Sequence, residues 1–141
     1  MRGCKADGCR IIATGEMGIG NTTTSAAMAA AMLRCDVATV TGRGAGLNDS
    51  GLERKIRVIE SAIEKYDLYN KDTFEILMTV GGLDIAGLVG VCIGGALYHI
   101  PVVLDGVISM VSALAAGRLL SGVTDFIIPS HEAGSLRGAF V

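Results

Sequence analysis

The sequence predicts an α/β protein built on a parallel, Rossmann-like sheet with helices on both faces. Short apolar runs alternate with longer helical segments along the chain. These runs are apolar throughout, as is typical of strands that are buried on both faces of a parallel sheet. A chain of 141 residues that is 50% hydrophobic is long enough to bury a core. We therefore predict one α/β nucleotide-binding domain over residues 1–141, with a loose tail at 130–141 where small and polar residues dominate.

Four short segments are interpreted as strands because they are apolar and lie between turn residues. Their ranges are 10–14, 37–40, 101–104 and 125–128. In parallel sheets ligands bind beyond the carboxyl ends of the strands. The stretches GEMGIGN, LDG and PSH follow three of these strands directly. We therefore look for a binding site in these three stretches.

The helices are predicted from composition, periodicity and capping residues. Residues 22–33 are rich in Ala and Met, which favours a helix. Ser50 and Glu53 have the spacing of a capping box. One apolar face follows, made by Leu52, Ile56, Ile59, Ile63 and Tyr66.

Three further helices are predicted beyond residue 70. Asp72 is the expected N-cap of one that ends at Gly81-Gly82, and almost wholly apolar helices follow at 83–98 and 107–120. In the first of these apolar helices, glycines at 87, 90, 94 and 95 indicate close backbone contact with a neighbour.

Composition argues against several classes of function. A net charge of −2 with 4% aromatic residues gives no nucleic-acid-binding surface. The uncharged run at 85–98 is shorter than the roughly 20 residues of a membrane-spanning helix. No apolar signal segment follows Met1, and no cysteine pair has zinc-site spacing, so we expect a cytoplasmic protein without a bound metal. Its cysteines are then reduced thiols: Cys4, Cys9, Cys35 and Cys92.

The stretch GEMGIGNTT, which begins at Gly15, lies between a predicted strand and a predicted helix. Its glycines let the backbone approach an anion, and the N–H groups of the following helix point at it. The spacing is that of a P-loop, but Asn21 stands where a P-loop carries the lysine that reaches the β- and γ-phosphates. A single phosphate monoester is therefore favoured over a nucleoside triphosphate. A glycine turn that binds nothing remains the alternative.

Arg43 and Lys55 are the cations that could accompany such a phosphate. We place Lys55 in the first turn of its helix, where a positive charge opposes the helix dipole. A ligand role and a solvated side chain both remain open. Glu16 and Asp105 are carboxylates at predicted strand ends that could face ribose hydroxyls or a cationic ring. Helix capping is the alternative role, particularly for Asp105.

Five stretches in the same order resemble one family over nearly the whole chain, from Ala6 to His131. They are GEMGIGNTT, GRGAGLNDSGLERK, VGGLDIAGLVG, IPVVLDGVIS and IIPSH. They resemble the nicotinate-nucleotide–dimethylbenzimidazole phosphoribosyltransferases of cobalamin biosynthesis. The resemblance implies a homodimer that needs no metal or other cofactor. It also implies transfer of a phosphoribosyl group from nicotinate mononucleotide to a benzimidazole nitrogen, which yields α-ribazole phosphate and nicotinate.

The resemblance also implies the site residues. The phosphate would be held by the turn at Gly18, Ile19, Gly20, Asn21 and Thr22. Lys55 would lie in the same pocket, Glu16 near the ribose and the reacting bases, and Asp105 at the pocket edge.

The sequence departs from the family pattern in two ways. Family members are longer, with a benzimidazole pocket built from earlier segments and a glutamate base in a later glycine-rich segment. After Ser130-His131 the chain reads EAGSLRGAFV, where the family continues toward Ser-x-Glu-Pro-Gly-His. We therefore expect the central, mononucleotide-binding part of a longer fold, and we assign no catalytic residue. The alternatives are a non-catalytic phosphate- or mononucleotide-binding module and a subunit that needs a second chain.

Overall fold

The computed structural model describes residues 1–131, so most of the predicted tail lies outside the described residues. The helices are α1 Arg2–Ala6, α2 Asn21–Leu33, α3 Val37–Val40, α4 Asp49–Lys65, α5 Thr73–Val80, α6 Leu83–Tyr98 and α7 Val107–Leu119. The strands are β1 Ile12–Ala13, β2 Val102–Leu104 and β3 Ile127–Pro129. Single 3₁₀ turns lie at Leu68–Asn70 and Thr124–Phe126.

The chain forms two compact units. Residues 1–17 and the chain from residue 83 onward make one, which we call the sheet unit. Residues 18–82 make the other, the helical unit. The single domain predicted from the sequence stays a prediction.

The sheet unit contains a parallel sheet with strand order β1-β2-β3. Ile12 pairs with Val102, and Val102 pairs with Ile127, so β2 lies in the centre. Val102 and Leu104 are fully buried, as the apolar run predicts. Helices α6 and α7 pack extensively on each other in the same unit. The parallel α/β class is confirmed, and the carboxyl ends of the three strands lie along one edge.

Two of the four α6 glycines make the predicted close contacts. A Cβ atom on Gly95 would lie 2.5 Å from Val102 Cγ2, and one on Gly94 would overlap the Met1 side chain. Among residues 1–131, Gly87 and Gly90 have no such neighbour within 4 Å, so within this part of the chain the prediction is wrong for both.

The helical unit is organised around α2, which contacts α3, α4 and α5. Met28 and Ala30 of α2 are fully buried. Ile59 and Ile63, on the predicted apolar face of α4, are also buried. The small side chains of α2 let these helices approach closely.

The segment predicted as a strand at residues 37–40 is helix α3, so that prediction is wrong. Asp36 accepts a hydrogen bond from the Ala38 N–H at 2.8 Å and begins the helix as its N-cap. This local bond outweighs the β propensity of the two valines.

The N-cap predicted for α4 is also wrong. Asn48, not Ser50, accepts the hydrogen bond from the Gly51 N–H, at 2.9 Å. The helix therefore begins at Asp49, which places Lys55 in its second turn rather than its first. The Asp72 cap of α5 is confirmed, with Glu75 completing a capping box.

The outer strands differ slightly from their predicted ranges. A 3₁₀ turn takes Thr124–Phe126, so β3 runs from Ile127 to Pro129 rather than over 125–128. Strand β1 is confined to Ile12–Ala13.

Candidate functional site

In the sheet unit, Thr14 links the carboxyl ends of β1 and β2. Its hydroxyl donates to the Val103 carbonyl at 3.0 Å and accepts from the Asp105 N–H at 3.3 Å. Glu16 and Asp105 therefore follow neighbouring strands at the same edge of the sheet. Asp105 is exposed and Glu16 half-buried. Thr14 was not predicted as a site residue, although a threonine that ends an apolar strand is a usable signal.

The third strand ends at the same edge. The Ser130 N–H donates to the Leu104 carbonyl at 3.2 Å, and the Ser130 hydroxyl lies 2.8 Å from His131 Nδ1. The prediction that the three stretches follow strand ends is confirmed for this sheet.

In the helical unit, the glycine turn ends in helix α2. Gly20 is the N-cap, with φ of 88°, and no side chain caps the helix there. Asn21, the first helical residue, is buried, while Gly18 and Ile19 are exposed. The Thr23 N–H donates to the Gly20 carbonyl at 2.9 Å. The positive end of the helix dipole at this turn favours an anion.

Lys55 extends from α4 toward the start of α2 and is 7% exposed. Its Nζ donates to the Thr22 hydroxyl and to the Gly42 carbonyl, both at 2.9 Å. Burial lowers the pKa of Lys55, because desolvation penalises the charged form. The interpretation of Lys55 as a solvated side chain is therefore wrong.

Gly44 lies against the same pair and was not singled out from the sequence. Its φ of 57° is in the left-handed region. A Cβ atom there would lie 2.9 Å from Thr22 Oγ1 and 3.7 Å from Lys55 Nζ. The repeated glycines of GRGAG were the available signal.

Arg43 does not join Lys55 in this cluster. Its guanidinium donates to the Leu47 carbonyl at 2.9 Å and pairs with the Asp49 carboxylate. These two contacts stabilise the loop before α4, and this is the role that the structure gives Arg43.

A cavity of about 250 Å³ adjoins Lys55 within the helical unit. It is lined by Thr23, Leu47, Gly51, Arg54, Lys55 and Val58. Its lining combines two cations and a hydroxyl with apolar side chains.

Two kinds of feature are absent from residues 1–131. None of the helices there is long and apolar enough to cross a bilayer. That part of the chain also contains no group of three or more His, Cys, Asp or Glu side chains placed to hold a metal ion.

The parallel α/β fold places the chain in a large structural class, which does not by itself define a function. Comparison with known families makes the assignment specific. The family profile described as Phosphoribosyltransferase matches residues 1–136, and the chain belongs to this family.

Its relatives share one name. The chain is 45% identical over 128 residues to the nicotinate-nucleotide–dimethylbenzimidazole phosphoribosyltransferase of Clostridium perfringens strain 13, covering 91% of this chain and 36% of that protein. It is also 45% identical over 139 residues to the protein of the same name from Geobacter metallireducens, covering 99% of this chain and 39% of that protein. The crystal structure of CobT from Thermus thermophilus superposes with a TM-score of 0.89 at 33% identity, covering 98% of this chain and 43% of that one. The chain thus spans well under half the length of these relatives.

Proposed function

We propose that this chain carries the mononucleotide-binding part of a nicotinate-nucleotide–dimethylbenzimidazole phosphoribosyltransferase. The reaction transfers the phosphoribosyl group of nicotinate mononucleotide to a benzimidazole nitrogen and releases nicotinate. Family membership and the shared name of the relatives support this assignment.

The observation that carries the proposal is the Lys55 ammonium group beside the start of α2. A lysine ammonium has three N–H donors. The bonds to Thr22 and Gly42 engage two of them, so the third can donate to a phosphate oxygen. This arrangement supplies a cation from α4 in place of the P-loop lysine that the sequence lacks at Asn21.

The single phosphate of nicotinate mononucleotide matches the charge of the Lys55 ammonium group. A single phosphate needs one cation and a few N–H donors, whereas a triphosphate needs further positive charge for its β- and γ-phosphates. We propose that residues 18–22 and Lys55 hold the phosphate of nicotinate mononucleotide. The roles that the resemblance implies for Glu16 and Asp105 stay predictions, which Glu16→Gln and Asp105→Asn can test.

Titration calorimetry tests the phosphate site. Nicotinate mononucleotide should bind, and Lys55→Met should weaken binding by about tenfold to a hundredfold, the effect of losing one charge-assisted hydrogen bond. The matched control is Lys71→Met, because Lys71 is a half-exposed lysine of the same unit that pairs with Glu75. The affinity of Lys71→Met for nicotinate mononucleotide should equal that of the parent chain. Tight, magnesium-dependent binding of ATP would contradict the proposal.

A product assay separates the transferase from a non-catalytic binding module. The chain is incubated with nicotinate mononucleotide and dimethylbenzimidazole, and α-ribazole phosphate is followed by chromatography. Product that depends on Lys55 supports the transferase. This chain alone is expected to bind the nucleotide without forming product, because the resemblance places the benzimidazole pocket and the glutamate base in other segments of the longer family fold. Absence of product even when a second chain supplies those segments favours the binding module.

We also propose a cytoplasmic homodimer. All four cysteines lie in the described residues and are free thiols, which suits a reducing compartment.

Phe74 and Met78, one turn apart on α5, are large apolar side chains that are more than half exposed. Such exposed apolar side chains favour association. Light scattering that shows only a monomer at micromolar concentration would contradict the dimer.

A further inference from the structure

We propose that Thr22 is a positioning residue that acts on phosphate binding through Lys55, by holding its ammonium group together with the Gly42 carbonyl. The proposal deepens the proposed function, since it assigns a role within the same phosphate site. It also makes Gly44 necessary, because a side chain there would displace the Thr22 hydroxyl.

The contacts explain why positioning is needed. A lysine side chain has four methylene groups and loses considerable rotamer freedom when it is held in one place. The 2.9 Å bonds to Thr22 and Gly42 come from two different segments and fix the ammonium group from two directions. Because Lys55 is only 7% exposed, water has little access to take over these bonds.

Gly44 closes the arrangement from the loop side. Its hypothetical Cβ lies 2.9 Å from Thr22 Oγ1, which is closer than real side chains allow. The hydroxyl, and with it the ammonium group, would have to shift. Gly46 in the same loop also has a positive φ, of 96°, but a Cβ there meets nothing within 4 Å. Gly46→Ala therefore strains the backbone but makes no contact with Thr22. It is the matched control for Gly44→Ala, which does both.

Positioning differs from direct binding in a measurable way. If Thr22 only donated its hydroxyl to the phosphate, its removal would weaken binding whether or not Lys55 were present. If it acts through Lys55, its removal has no further effect once Lys55 is replaced. Double-mutant cycles measure this difference.

The first experiment needs no nucleotide. Lysines are labelled with ¹³C at Cε, the Lys55 signal is assigned as the one missing from Lys55→Met, and its pH titration is followed by NMR. Thr22→Val, which keeps the shape of the side chain but cannot accept a hydrogen bond, should shift the Lys55 titration to lower pH. In Thr22→Ser, which keeps the hydroxyl, the Lys55 titration should match that of the parent chain. Thr79→Val, which removes an exposed hydroxyl bonded to the Glu75 carbonyl, should leave it unchanged.

The second experiment measures affinity for nicotinate mononucleotide. Thr22→Val and Gly44→Ala should each weaken binding by about tenfold, with Thr22→Ser and Gly46→Ala close to the parent chain. In the Lys55→Met background, Thr22→Val should have no further effect.

The outcomes distinguish the two proposals. An unchanged Lys55 titration in Thr22→Val overturns the positioning role, even if affinity falls. An undiminished effect of Thr22→Val in the Lys55→Met background overturns it as well. If the parent chain does not bind nicotinate mononucleotide, the proposed function fails, while the NMR titration still decides whether Thr22 positions Lys55.

Discussion

Helices α2 and α7 are alike in sequence pattern and differ in what lies next to their first turns. Each has 13 residues, follows a strand along the chain, and is buried over most of its length. Each begins after a glycine N-cap with no side-chain capping bond, and neither has an acidic residue in its first turn. By these local criteria, both helix starts are equally suited to an anion.

The residues around each helix start determine which of the two suits an anion. At α2, Lys55 places a buried ammonium group against Thr22. At α7, Asp105 precedes the N-cap with a carboxylate, and the Ser109 hydroxyl returns to the Gly106 carbonyl at 2.8 Å. A carboxylate complements the helix dipole but repels phosphate. The comparison teaches that the charge brought by the tertiary structure decides whether a glycine-capped helix start suits a phosphate.

The largest expected difference between the two starts comes from their glycines. Gly20 has φ of 88°, whereas Gly106 has φ of −89°, a value open to any residue. Gly20→Ala should lower the free energy of unfolding by about 1–2 kcal/mol, the cost of a left-handed non-glycine residue. Gly106→Ala should change it little, because a Cβ there meets nothing within 4 Å. Urea unfolding measures both, and equal effects would remove this difference between the helix starts.

A smaller effect is expected from the carboxylate before α7. Asp105→Asn should lower the free energy of unfolding by about 0.3–1 kcal/mol, because it removes a negative charge next to the positive end of the helix dipole. High salt should diminish the difference, since Asp105 is exposed. A salt-independent loss would exclude the interaction between this charge and the helix dipole as its cause.

The smallest net effect is a pH dependence in which two buried groups oppose each other, one in each unit. The pKa of Lys55 is lowered from 10.5 by desolvation, so below pH 10.5 the unfolded chain keeps a proton that the folded chain loses. Stability then rises with pH in that window. Burial raises the pKa of the Cys92 thiol from 9.0 to about 11, so the folded chain keeps its proton longer and stability falls between these values.

The variants separate the two contributions. Between about pH 8 and pH 10, the free energy of unfolding should fall in Lys55→Met and rise in Cys92→Ala, with the change in the parent chain between the two. Parallel urea titrations at the two pH values measure this. Identical pH profiles for all three chains would exclude both groups as contributors.

Much of the secondary structure could be predicted because its signals are local. The bounds of α6 at Leu83 and Tyr98 and the Asp72 cap of α5 were predicted correctly. Where prediction failed, two local signals competed. At 37–40 the valines favoured a strand and Asp36 favoured a helix, and at α4 Asn48 competed with Ser50 two residues away. In both places the capping oxygen that reached a free N–H determined the start of the helix.

The sequence by itself determined the order of the three strands and of helices α2 and α4 to α7, the glycine turn before α2, the absence of a P-loop lysine, and the membership of the family. These follow from residue types at short spacings along the chain. Only the tertiary structure decided that Lys55 is buried against Thr22, 33 residues away, and that Thr14 ties its strand to Val103, 89 residues away. A charged side chain is held in place only where hydrogen-bond acceptors from distant segments reach it, and otherwise it is solvated. A local sequence pattern cannot predict these contacts, because the acceptors lie far away along the chain.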